Sequence, residues 1–247
     1  MIDYLGPAYG GSPFVLFSAQ HWLALLGVLL ACVVVAWFAR RLAEPALDRL
    51  RYAVIGFCLL NWLGWDTWQL AYGIWSPVYS LPLHLCTLSV PLAAVMLVTR
   101  NRILFEILYF WGFTAAVIAM LTPDLVGNGY GFPHFRYWIF FTSHGAILLA
   151  VVFAANAFDY RPTWRSVVRV VIITNLYLIV VGMVNWITGG NYVYVARKPE
   201  FASPIDLLGP WPWYIIPLQL IGAAAFVLAY LPYAVRDRLY RPEALTR

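Results

Sequence analysis

Charge is what this chain has least of. Only 11% of its 247 residues are Asp, Glu, Lys or Arg, against about a quarter in soluble domains. With 63% hydrophobic residues and a mean hydropathy of +0.75, an ordinary soluble domain is excluded. Cysteine is scarce as well. Cys32, Cys58 and Cys86 are odd in number, fall in apolar stretches and form no C-x-x-C pair, which argues against a disulfide framework. The net charge of +5 comes from scattered residues without a basic stripe or recognition motif, so no nucleic-acid partner is implied. No internal repeat occurs, which removes the inverted-repeat signature of many transporters. The first nineteen residues carry Asp3 but no basic residue ahead of an apolar core, so the n-region of a cleavable signal is missing.

What is present is a series of apolar stretches, at 20–39, 52–71, 82–99, 103–121, 137–156, 166–187 and 211–233. Each approaches the ~20 residues that cross ~30 Å of hydrocarbon at 1.5 Å per residue. Taken alternately, the joints place Arg40, Arg41, Arg49, Arg51, Arg100, Arg102, Arg161, Arg165, Arg169, Arg236, Arg238, Arg241 and Arg247 on one side. Only Arg136, Arg197 and Lys198 fall on the other. Short joints rich in Lys and Arg stay in the cytoplasm. The sequence therefore predicts an all-α membrane protein of seven transmembrane helices, N-terminus outside and C-terminus cytoplasmic, with residues 1–247 as one polytopic domain. A bacterial cytoplasmic (inner) membrane is the expected location.

The outer joints are long and rich in Gly, Pro and aromatics, as functional loops often are. Trp62, Trp65, Trp68, Trp75, Trp138, Trp211 and Trp213 cluster toward that boundary, as an interfacial belt does. Pro82 is expected to open the third span with Ser80 as its cap. Pro91 and Pro217 are expected to bend the third and seventh spans.

Ionisable side chains inside a span are expensive and mark function by default. Counted from the outer ends, Asp66, His84, Cys86 and His144 all fall roughly 6–12 Å below the outer surface. Three separate spans thus bring carboxylate, imidazole and thiol to one layer, with His21 and Asn185 at its rim. His84 and Cys86 lie about 200° apart around an ideal helix, so one should face the site and the other orient a neighbour. Cys32 and Cys58 lie deeper and suit small buried hydrophobes. Asn61, Gln69, Asn156, Asn175 and Gln219 suit interhelical hydrogen bonds, and Glu106 suits an ion pair with Arg100 or Arg102.

A thiol beside an imidazole suits nucleophilic catalysis, because the histidine takes the thiol proton. Cys86 is the candidate nucleophile and His144 the base, with Asp66 or His84 fixing the imidazole tautomer. Arg136, Arg197, Lys198 and Asn185 are candidate substrate contacts, Arg gripping phosphate as a fork. Lipid ester carbonyls sit at this depth, so membrane lipids, including a lysophospholipid and an acyl donor, are the expected partners. The same four residues are competent zinc ligands, but the i,i+2 spacing is poor and H-E-x-x-H is absent, so neither metal nor cofactor is assigned. The alternative is a transporter for a small solute or lipid, with intramembrane Asp and His lining a polar pathway through Asn61 and Asn175.

Four motifs carry a resemblance: Leu81-Pro82-Leu83-His84-Leu85-Cys86, Thr122-Pro123-Asp124-Leu125, Phe132-Pro133-His134-Phe135-Arg136, and Leu207-Leu208-Gly209-Pro210-Trp211-Pro212-Trp213-Tyr214. Together they resemble the YwaF-like bacterial integral membrane proteins, from about Ser18 to Tyr233. The chain also resembles a eukaryotic transmembrane family implicated in acyl transfer to ether phospholipids. That resemblance implies a nucleophilic cysteine in the third span, at Cys86, and a histidine in the fifth, at His144. More distantly, the arrangement is similar to androgen-induced-gene-type lipid hydrolases, where threonine replaces the cysteine.

Overall fold

The computed structural model describes residues 4–8, 11–126, 129–200 and 203–239. Asp3, Arg241 and Arg247 lie outside the described residues. Seven long helices are described: α1 (Ala19–Arg41), α2 (Ala46–Ala71), α3 (Leu85–Thr99), α4 (Arg102–Leu121), α5 (Phe135–Ala157), α6 (Trp164–Thr188) and α7 (Ile215–Leu239). The only strand-like pairing among the described residues is an isolated bridge between Phe14 and Val126. Five helices, α1, α4, α5, α6 and α7, are long and apolar enough to cross a membrane. The 26-residue α2 falls outside that group, and α3 is shorter at 15 residues. The chain forms two compact units, Met1–Tyr160 with α1 to α5, and Arg161–Arg247 with α6 and α7.

Local chemistry explains several helix ends. Asn101 accepts from the Ile103 and Leu104 amides and starts α4. Thr163 and Ser166 form a reciprocal capping box that starts α6, which stops at Gly189 in the left-handed region. Two expectations change. The third span becomes helical only at Leu85, with His84 at its N-cap position, because the Ser80 hydroxyl is engaged by Gln69 Oε1 at 2.7 Å. Pro217 lies in the first turn of α7, where a missing N–H breaks no helical bond, and the interior proline there is Pro232.

Within the first unit, α5 is the central helix and packs against α1, α2, α3 and α4. In their most apolar stretches α4 and α5 are 61% and 56% buried, whereas α1 is 11% buried. Leu23, Leu26, Leu29, Leu30 and Val33 are among the exposed residues of α1. Such a surface is a liability in water and unremarkable against lipid tails. The arginine-rich end is knitted together by Arg51–Asp48 at 3.0 Å, Arg102–Glu106 at 3.8 Å and Arg40 Nε to Asn156 Oδ1 at 2.5 Å. Asn61, Asn156 and Asn175 each donate to the carbonyl four residues back on their own helix. For Asn61 and Asn156 the remaining amide oxygen meets a neighbouring helix.

The opposite end is closed by the segment before α1. Trp68 Nε1 donates to the Leu5 carbonyl at 2.6 Å, His134 Nε2 to Gly6 at 2.9 Å and the Phe135 amide to Tyr4 at 2.9 Å. Phe14 is buried among Met120, Leu125, Tyr137 and Phe141. Gly131 passes so close to this segment that a Cβ would stand 2.3 Å from the Ser12 carbonyl oxygen.

Candidate functional site

Depth at the site is set by the seam between α2 and α5. Cys58 Sγ lies 3.8 Å from the Ala146 carbonyl, and the Thr142 hydroxyl lies 2.5 Å from Asn61 Oδ1. Nearer the loop end, a Cβ on Gly64 would touch Ile139 at 3.9 Å, and Trp68 stacks on Phe135 with centroids 5.5 Å apart. These pairs define one antiparallel register. At 1.5 Å per residue His144 lies about 13 Å below the start of α5. By the same register Asp66 is level with Tyr137, about 10 Å shallower than His144.

His144 is buried, 9% exposed, and its Nδ1 lies 2.7 Å from the carbonyl of Phe140, one turn earlier on its own helix. A carbonyl only accepts, so Nδ1 carries the proton and Nε2 presents its lone pair. Among the described residues Nε2 has no hydrogen-bond partner. The other buried histidines differ. His21 accepts from the Phe17 amide at Nδ1 and donates to the Met120 carbonyl at Nε2, 2.8 Å away. His134 accepts from the Arg136 amide and donates to Gly6. Both nitrogens of each are engaged, so His21 is a structural pin rather than a rim residue of the site.

Cys86 is half-buried in the first turn of α3, which packs against both α2 and α5. No side chain caps this helix start, and first-turn N–H groups lack intrahelical acceptors. No hydrogen bond joins the Cys86 sulfur to His144 among the described residues. His84 precedes Cys86 at the N-cap, and its carbonyl accepts from the Leu88 amide at 3.0 Å. Among the described residues the hydrogen-bond partner of the His144 ring is the Phe140 carbonyl, and neither Asp66 nor His84 is bonded to it. Asp66 is half-buried on α2 and makes no hydrogen bond or ion pair among the described residues.

One carboxylate that the depth count missed lies in the loop after α4: Asp124 pairs with Arg136, Nη2 to Oδ2 at 3.7 Å. The Arg136 guanidinium in turn lies over Tyr130 at 4.5 Å and Trp65 at 5.6 Å. Among the described residues no three His, Cys, Asp or Glu side chains stand close enough to hold a metal ion. The signal for Asp124 was its motif, Thr122-Pro123-Asp124-Leu125, since a loop carboxylate escapes any count made along spans.

The remaining predicted contacts belong to the second unit. Asn185 is 2% exposed and exchanges two hydrogen bonds with Tyr192, Nδ2 to its carbonyl and Oδ1 from its amide. Both ends of the amide are thus occupied in holding the loop after α6. The Arg197 amide donates to Asn191 Oδ1, and Lys198 Nζ pairs with Asp206 at 3.9 Å.

Comparison with known proteins agrees with the helical membrane architecture. A protein of Treponema pallidum (strain Nichols), described as "Uncharacterized protein", is 28% identical over 234 residues, covering 89% of this chain and 90% of its own. No solved structure matches. A model of the TMEM164 family matches residues 16–230. Nearly the whole helical array is included in that match, and the chain belongs to the TMEM164 family.

Proposed function

We propose that this protein is an integral membrane lipid acyltransferase or lipid hydrolase that works through Cys86 and His144. The single observation behind this reading is the state of His144. Its Nδ1 proton is held by the Phe140 carbonyl, and its Nε2 lone pair has no partner among the described residues. That is the tautomer a general base requires. The resemblance to a family implicated in acyl transfer to ether phospholipids supplies the substrate class. Seven spans with the N-terminus outside, the arrangement favoured by the arginine distribution, put the site in the outer leaflet of a bacterial inner membrane.

The chemistry then runs in two halves. Nε2 takes the Cys86 proton as sulfur attacks a lipid ester carbonyl, and the collapsing tetrahedral adduct expels an alkoxide that recovers the proton from His144. The acyl group stays on sulfur as a thioester. In the second half, Nε2 deprotonates the hydroxyl of a lysophospholipid, or water, whose oxygen attacks the thioester and releases the thiol. The first-turn amides of α3 suit the transient oxyanion. His84 is the proposed second orienting group at the site. Arg136 is the proposed headgroup contact.

A transport reading needs an open polar file through Asn61 and Asn175. It has less support, since both amides donate within their own helices. The test is a lipophilic thiol-reactive acyl probe applied to the protein in phospholipid vesicles. Wild-type protein should be labelled at Cys86, Cys86→Ala should not, and His144→Ala should react at least a hundredfold more slowly. Equal labelling of wild type and His144→Ala, or an unchanged cellular lipid acyl profile with altered solute uptake, overturns the assignment.

A further inference from the structure

Three buried side-chain nitrogens on α2 have no hydrogen-bond partner among the described residues: Arg51 Nε, Trp62 Nε1 and Gln69 Nε2. A buried donor without an acceptor is costly and uncommon, and catalysis is one reason for a fold to keep one. The sequence places Trp62 in an interfacial belt, where an indole turns its N–H to water or headgroups. Its Nε1 is instead buried within the first unit, on a helix that packs against α3 and α5.

Spacing along α2 fixes what Trp62 faces. Asp48, Ile55, Trp62 and Gln69 are seven residues apart, and such positions share one helix face to within about 20° per step. At one end of this line Asp48 pairs with Arg100, the C-cap of α3, at 3.7 Å. At the other, Gln69 Oε1 accepts from Ser80, shortly before α3, at 2.7 Å. The line therefore runs along α3. On α3 itself Cys86, Ala93 and Arg100 have the same spacing and form the opposing line. Between antiparallel helices the Asp48–Arg100 pair sets Ile55 opposite Ala93 and Trp62 opposite Cys86. Ile55 and Ala93 are 7% and 0% exposed, as facing residues should be. On the neighbouring face of α2, Asn61 meets Thr142 of α5, about 3 Å along the axis from His144. Thiol, imidazole and unpaired indole N–H thus share one level to within a helical turn.

Chemistry narrows what that N–H can serve. An indole nitrogen only donates, so its partner is an acceptor that arrives with the ligand. The Cys86 sulfur is not that partner, since Nε1 bonds to nothing among the described residues. Taking the thiol proton is the part of His144. What remains is the oxygen that gains negative charge when sulfur adds to an acyl carbon. A donor already in place, in a site that excludes water, stabilises such an oxygen without rearrangement.

We propose that Trp62 Nε1–H is a catalytic hydrogen-bond donor to the acyl oxygen at Cys86, opposite the first-turn amides of α3. The role rests on the Cys86–His144 reading and adds a residue to it. As sulfur attacks, the carbonyl π pair moves to oxygen, and the indole bonds that oxyanion without giving up its own proton. On collapse the pair returns to carbon, the ester C–O bond breaks, and the departing alkoxide takes from His144 the proton that left the thiol.

The test compares two reagents at Cys86 in the full-length protein in phospholipid vesicles, each read by peptide mass spectrometry. The p-nitrophenyl ester of palmitic acid acylates sulfur through an oxyanion, whereas a lipophilic iodoacetamide alkylates it by displacement and forms none. Trp62→Phe, which keeps an aromatic ring and removes the N–H, should slow acylation about a hundredfold and leave alkylation within twofold of wild type. Replacing Trp62 with benzothienylalanine, an isostere with sulfur in place of the N–H, repeats the test should Trp62→Phe fail to fold. Unchanged acylation in the folded variant, or acylation and alkylation falling together, overturns the role of Trp62 alone. A wild type that is alkylated but never acylated at Cys86 overturns the catalytic reading and this role with it.

Discussion

Replacing His144 by asparagine separates a catalytic histidine from a structural one. The asparagine amide nitrogen takes roughly the place of Nδ1 and can donate to the Phe140 carbonyl, which now sits 2.7 Å from the ring. The hydrogen bond, with a net value of about 0.5–1.5 kcal/mol, is therefore retained. The Phe140 ring, centred 4.4 Å from the imidazole, loses its neighbour. An aromatic pair contributes about 0.5–1.5 kcal/mol beyond its area. A loss of that size lowers Tm by only about 1–6 °C in a chain of this length. What asparagine cannot supply is Nε2. If that nitrogen takes the Cys86 proton, the rate of Cys86 acylation falls about 10²–10⁴-fold. Two measurements on the same detergent-solubilised samples are required, a thermal transition and the labelling rate of Cys86 with a lipophilic acyl probe. Wild-type labelling in a folded His144→Asn protein refutes the assignment. So does a Tm drop above 10 °C with labelling lost only in proportion to unfolding.

Three further substitutions test the frame around the site. Gly131→Ala drives a methyl into the Ser12 and Pro13 backbone at 2.3 and 2.8 Å, so the chain before α1 must detach. It should destabilise by about 3 kcal/mol, the upper end of ordinary overpacking, and expose residues 11–16 to limited proteolysis. His134→Phe strands the Arg136 amide and the Gly6 carbonyl. At about 1–3 kcal/mol per unsatisfied group, it should lower Tm more than His144→Asn does. Asn101→Ala removes the cap that accepts two amides at the start of α4. It should cost about 1 kcal/mol in a denaturation midpoint without altering Cys86 labelling.

Membrane character was legible in the sequence because hydropathy and arginine placement act over whole helices, where local detail averages out. Helix starts were less legible. Pro82 and Ser80 form a plausible cap on paper, yet Ser80 prefers Gln69, a residue eleven positions away whose side chain only the fold brings near. The level of Asp66 relative to His144 was not legible. Counting from span ends cannot resolve the register between α2 and α5, which packing at Cys58, Asn61 and Gly64 decides. The four histidines look alike in the sequence. Their division into pins and a candidate base depends on backbone carbonyls of Met120, Gly6 and Phe140, and carbonyls leave no sequence signature.

Midway along α4, residues Gly112–Ala116 adopt a π-helical turn. Such a turn amounts to one extra residue threaded into an α-helix, and it resets the rotational phase of everything after it. Removing a single residue there would let the helix close up and swing Val117–Leu121 by about 100°. The Met120 carbonyl, which receives the His21 proton donor, would then face elsewhere. Length variation within this short stretch should accordingly be far less tolerated than equal variation in the arginine-rich joints, since it would cut the tie between the first helix and the fourth.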